Sequence, residues 1–73
     1  MDNSENLDME YVNEILTKKE YKVFNYLIAG KTNKEIAEKM VVTQHTVKAH
    51  VSSVLKKLKA KRRVELILRF KKP

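Results

Sequence analysis

The chain of 73 residues contains no cysteine and only one glycine and one proline. Without cysteine, neither a disulfide nor a thiolate metal site can stabilise the fold, which fits a reducing compartment. No apolar run approaches the roughly 20 residues that span a bilayer, and no signal-peptide pattern precedes the domain. With 42% hydrophobic residues, this composition favours one compact helical domain, which we expect in the cytoplasm.

Acidic residues are scarce beyond the first 16 positions. Residues 1–16 hold five acids and no base, whereas residues 17–73 hold 16 bases and four acids, a net charge of +12. A basic domain of this kind favours a polyanionic partner such as nucleic acid. A solvated surface that keeps a small protein in solution is the alternative that charge alone leaves open.

Apolar spacing predicts an all-α chain with four main helices, short loops and a short lead-in helix over 9–15. Capping-box pairs mark the starts of the first two main helices, because a Thr is followed three residues later by a Glu. The predicted ranges of the last three helices are about 33–40, 44–58 and 62–70. The sequence therefore divides into an acidic, partly helical lead-in (1–15) and a helical domain (16–73).

The second and third main helices have the features of a helix-turn-helix unit. Ala37 supplies the small side chain needed where the two helices approach closely. Apolar residues precede the turn, lie within it and line the inner side of the next helix. No acid occurs between Lys39 and Arg63, which suits a helix that enters the major groove of DNA.

Four runs in the sequence carry a family resemblance. Leu16-Thr17-x-x-Glu20, Gly30-x-x-Asn33-Lys34-Glu35-Ile36-Ala37, Thr46-Val47-Lys48-x-His50 and Lys57-Leu58 together resemble the LuxR/FixJ-type helix-turn-helix domain over residues 16–70. The resemblance implies a bacterial transcriptional regulator with four helices, of which the third contacts DNA bases and the fourth makes dimer contacts. Matching positions imply base contacts by Lys48, Ala49 and Ser52, and phosphate contacts near helix N-termini by Asn33, Lys34, Thr43 and Thr46.

The chain departs from the family pattern in three places. The family commonly has glycine at the position of Lys59, so this lysine must adopt a left-handed conformation or end the helix another way. Arg62 replaces the usual small N-cap of the last helix. Ala49 and Ser52 are short, so base recognition depends on few side chains, chiefly Lys48.

The remaining polar residues favour phosphate contacts over catalysis or metal binding. Lys56 and Lys61, in the basic run 56–63, are further candidates for phosphate contact. His45 and His50 point about 140° apart around a helix, so they cannot share a metal, and we expect neither a zinc site nor a cofactor. There is no nucleophile–base pair or glycine-rich phosphate loop, so we expect no enzyme activity and no catalytic residue.

The last helix carries more apolar residues than one stripe can bury. Leu66, Ile67 and Phe70 are therefore predicted to form a dimer interface, unless the lead-in 9–15 folds over this edge. The expected partners are double-stranded DNA and a second copy of the chain, with RNA polymerase left open. The alternatives are a sigma-factor-like promoter-docking module and a protein-interaction module or inhibitor that pairs with a full-length regulator.

Overall fold

The computed structural model describes residues 4–70, with side chains from Met9 onward. Within this range the chain forms five helices and no strand: α1 (Ser4–Ile15), α2 (Lys18–Ile28), α3 (Asn33–Met40), α4 (Gln44–Lys57) and α5 (Arg63–Arg69). The all-α prediction is confirmed. The outermost residues of the predicted lead-in and domain lie outside the described residues. None of the described helices has the length and apolar character needed to cross a membrane.

Helix α1 begins earlier than the sequence pattern predicted. It starts at Ser4 rather than at residue 9. Apolar periodicity becomes visible only at Met9, while acidic residues in the first turns of a helix are favourable because they complement its dipole. Val12 has no exposed surface and belongs to the core, so α1 packs on the domain.

Three threonines begin three successive helices. Thr17 and Thr32 form the predicted capping boxes: each hydroxyl accepts from the backbone N–H of the glutamate three residues later at 3.1 Å. Each of these glutamates in turn accepts from its threonine's N–H at 2.9 Å. Thr43 caps α4 by accepting from the Thr46 N–H at 3.1 Å. These bonds satisfy donors that a helix leaves unpaired at its N-terminus.

The same left-handed turn ends α2, α3 and α4. Gly30, Val41 and Lys59 have φ of 83°, 56° and 55°, and each is followed by a residue whose N–H reaches back five positions, as from Val42 to Ala37 O at 3.0 Å. Of the two outcomes expected for Lys59, the structure shows the left-handed one. A β-branched residue such as Val41 is strained in this conformation, at a cost of about 1–2 kcal/mol.

The core is formed where α2, α3 and α5 meet α4. Ala37, which is predicted to lie where α3 and α4 approach closely, is buried, with 6% exposure. α4 contributes valines on its inner side, so this helix is fixed by packing along most of its length. The side chains with no exposed surface are Val12, Val23, Phe24, Leu27, Ile36, Val47, Val54 and Leu66.

The C-terminal end of α4 is held by two polar contacts. Lys57 Nζ lies 2.7 Å from Glu20 Oε1 at the start of α2. Burial raises the pKa of the Glu20 carboxyl, but hydrogen bonds from Lys57 and Thr17 lower it by more, so its pKa lies below the ordinary glutamate value. Arg69 of α5 donates to the Leu58 carbonyl at 3.0 Å. These contacts fix the direction in which α4 projects.

Candidate nucleic-acid interface

The outward face of α4 presents the three predicted base-contact residues together. Lys48, Ala49 and Ser52 are all exposed, while Val47 and Val51 on the opposite side are buried in the core. Lys48 and Ser52 are four residues apart and so lie one turn above the other. Lys48 has the longest side chain of the three, and its ammonium group can donate to guanine O6 and N7.

Two threonine hydroxyls lie at the N-terminal end of α4. Thr43 Oγ1 and Thr46 Oγ1 are 3.1 Å apart, so one of the two hydroxyl protons is shared between them. The other proton is left for an outside acceptor, whichever threonine donates. An oxygen acceptor such as a DNA phosphate can use that donor together with the positive end of the helix dipole.

The N-terminal end of α3 carries two more of the predicted phosphate contacts. Lys34 is exposed and Asn33 is half-buried, and Asn33 Oδ1 accepts from Arg63 Nη1 at 2.8 Å. Glu35 is exposed on the same turn, and hydrogen bonds from the backbone and side chain of Thr32 lower the pKa of its carboxyl below the ordinary value. The charged carboxylate of Glu35 therefore acts as the acceptor of the capping box at the start of α3.

The basic run 56–63, which extends from the last turn of α4 to the first residue of α5, contains two kinds of lysine and arginine. Lys57 and Arg63 bond to other parts of the chain. Lys56 and Lys61, the two predicted phosphate contacts within this run, have exposed side chains, and the Lys61 backbone N–H donates to Glu65 Oε2 at 3.0 Å. The side chains of Lys56 and Lys61 can therefore meet a ligand without breaking a side-chain contact of the fold, whereas those of Lys57 and Arg63 already make such contacts.

Comparison of the sequence with known proteins shows which family the chain belongs to. Residues 14–70 match the sequence profile described as bacterial regulatory proteins, luxR family. The chain belongs to this family. Its members are regulatory proteins rather than enzymes, and the helix-turn-helix domain makes the chain a DNA-binding transcriptional regulator.

Individual relatives of the LuxR family differ in how much of their length the match spans. Spore germination protein GerE of Bacillus subtilis (strain 168) is 39% identical over 54 residues, which cover 74% of this chain and 73% of GerE. Transcriptional regulatory protein LiaR of the same organism is 47% identical over 45 residues, 62% of this chain but 21% of LiaR. The glycerol metabolism activator of Pseudomonas putida is 42% identical over 55 residues, 75% of this chain and 25% of that protein. No solved structure gives a significant match.

The predicted dimer edge on α5 needs a correction. Leu66 has no exposed surface, because α5 docks on α2 and α4 through this side chain, so it cannot contact a partner. Phe70 is half-buried and meets the Phe24 ring edge-on, with centroids 5.0 Å apart. The exposed apolar side chains of α5 are Val64 (47%) and Leu68 (69%), so α1 does not cover this edge.

Sequence reasoning missed two side-chain links between distant segments. Glu20 meets Lys57 across 37 residues, and Asn33 meets Arg63 across 30 residues. The capping box indicates a local role for Glu20 and the basic run a charged surface at Arg63, but no local pattern pairs Glu20 with Lys57 or Arg63 with Asn33. Among the side chains that the structure describes, from Met9 to Phe70, no three His, Asp or Glu residues are grouped closely enough to hold a metal ion.

Proposed function

We propose that this chain is a homodimeric transcriptional regulator that binds double-stranded DNA with a sequence preference and inserts α4 into the major groove. The exposed outward face of α4, free of acids and backed by buried valines, carries the proposal. A groove-binding helix must be held rigidly from behind and must present no negative charge to phosphate. Such a protein acts on the bacterial chromosome, in the cytoplasm.

Base selection is assigned chiefly to Lys48, with Ala49 and Ser52 as close neighbours that leave room for the base edges. Backbone contacts are assigned to exposed or half-exposed groups on both sides of α4. Phosphate contacts fix the orientation of the protein on the duplex but carry no sequence information. The proposed phosphate contacts are Asn33, Lys34, Thr43, Thr46, Lys56 and Lys61.

The dimer is assigned to the outer edge of α5. Val64 and Leu68 expose apolar surface there, and Ile67 and Phe70 are partly exposed beside them. A two-fold axis through this edge would place the two copies of α4 on half-sites about one helical turn apart. Sequence preference would then depend on half-site spacing as well as on Lys48.

Selection of duplexes from a random DNA pool, followed by a salt series, tests this proposal. We expect an inverted repeat to be enriched. If each of two chains places three lysines on phosphate, affinity falls roughly a thousandfold between 50 and 200 mM salt. Replacement of Val64 and Leu68 by glutamine should weaken binding to the full repeat but not to a single half-site. Failure to enrich any duplex, with affinity insensitive to salt, would favour the protein-interaction module instead.

A further inference from the structure

Arg63, the first residue of α5, connects the start of that helix to the start of α3. Its Nη1 donates to Asn33 Oδ1 at 2.8 Å, and its Nη2 donates to the Lys31 carbonyl at 3.1 Å. The side chain is half-buried. Two of the five N–H donors of the guanidinium therefore hold acceptors within the chain, one on each terminal nitrogen.

The chemistry of this contact fixes the orientation of the Asn33 amide. A guanidinium only donates hydrogen bonds, so the amide atom that faces it must be the carbonyl oxygen. The Nδ2 group of Asn33 is then the amide atom that does not face Arg63. Among the described residues, no buried side-chain nitrogen or oxygen lacks a partner, and Nδ2 makes no hydrogen bond within them, so it reaches solvent.

The surroundings of this amide are basic and open. Asn33 lines a surface cleft together with Lys31, Lys34, Gln44 and Arg63, so the starts of α3 and α4 face the same space. A donor group there can meet a phosphate oxygen, whereas the carbonyl oxygen of a reversed amide would repel it. The orientation of one amide therefore decides whether Asn33 favours or opposes DNA.

We propose that Arg63 is a positioning residue for DNA binding, which holds the Asn33 amide with its Nδ2–H donors facing the DNA backbone. The inference rests on the proposed function, because it takes the Asn33 side of α3 to lie against phosphate. It assigns Arg63 a role different from that of Lys56 and Lys61, which act through their own charge.

Lysine cannot replace arginine in this role. Its ammonium is a point charge, without the planar fork that fits two acceptors at fixed positions. Arg63→Lys therefore keeps the charge but releases the Asn33 amide. The neighbouring Arg62 is exposed and its side chain makes no capping hydrogen bond, so Arg62→Lys is the matched control.

A double-mutant cycle on DNA affinity tests the inference. Affinity for the selected duplex is measured for the wild type, Arg63→Lys, Asn33→Ala and the double variant across a salt series, with thermal unfolding of each. We expect Asn33→Ala and Arg63→Lys each to weaken binding roughly three- to tenfold. Arg63→Lys should cost nothing further in the Asn33→Ala background, and the salt slope should not change.

Additive losses in the cycle, or no loss from Arg63→Lys, would overturn the inference. If Arg63→Lys and Arg62→Lys weaken binding equally, the inference is also overturned, because any arginine-to-lysine change in this region would then have the same effect. If Arg63→Lys does not fold, Asn33→Asp serves instead, since it keeps an acceptor for Arg63 but removes the outward donor. We expect it to fold and to bind at least tenfold more weakly; undiminished affinity would overturn the inference. A wild type that binds no duplex would instead overturn the proposed function.

Discussion

The helices α4 and α5 are neighbours in the chain but differ in how they are held. α4 begins at Thr43 with a side-chain cap and buries Val47, Val51 and Val54. α5 begins at Arg62 without a side-chain cap and buries only Leu66. The outward face of α4 is polar and basic, whereas that of α5 exposes Val64 and Leu68.

The two helices, which together extend from Gln44 to Arg69, are therefore suited to two different kinds of contact. α4 is fully supported by its own chain, so its outward polar face is free to meet a ligand. α5 keeps apolar surface that the described part of the chain leaves exposed. In the proposed function, α4 contacts DNA and α5 pairs with a second copy.

The largest expected effect comes from the single buried residue of α5. Leu66→Ala should lower the free energy of unfolding by about 2–5 kcal/mol, because it leaves a cavity under the helix. That is a large fraction of the stability of so small a domain. Denaturant unfolding measures it. Leu68→Ala is the control and should change stability by less than about 0.5 kcal/mol; equal losses would show that α5 docks through another face.

Mutation of the N-cap residues of α4 and α5 should change the stability of the domain in opposite directions. Thr43→Ala removes the hydroxyl that accepts from Thr46 and should destabilise the domain by about 1 kcal/mol. Arg62 has φ −139° and ψ 153°, an extended backbone that an N-cap serine also adopts. Arg62→Ser should therefore stabilise the domain by about 0.5–1 kcal/mol. Thermal unfolding gives both values, and destabilisation by Arg62→Ser would mean that its side chain supports α5 in another way.

A smaller effect is expected at the turn that precedes α4. Val41 is left-handed and 89% exposed, so Val41→Gly removes strain and loses almost no packing. Glycine adds entropy to the unfolded chain, and we expect a net gain of about 0.5–1 kcal/mol in unfolding free energy. Gly30→Ala is the matched reverse change at the same kind of turn, where a Cβ meets no atom within 4 Å. It should destabilise through conformation alone.

Local patterns predicted most of the helices but not the surface that each presents. The range Asn33–Met40 was predicted to the residue, and α4 to within one residue at its end, because capping threonines mark the helix starts. Leu66 was assigned to the wrong surface because apolar spacing identifies a stripe but not the helix that covers it. The Arg63–Asn33 contact depends on how α5 docks, which no short segment encodes.

In the proposed function, Lys48 on α4 recognises bases rather than phosphate alone. The most direct measurement compares the affinity of Lys48→Ala and wild type for the selected duplex and for a random duplex of equal length. We expect a loss of about 1–3 kcal/mol on the selected duplex and a much smaller loss on the random one. Lys56 is a proposed phosphate contact, so Lys56→Ala should weaken binding to both duplexes equally. Equal losses from Lys48→Ala on the two duplexes would contradict base recognition by α4.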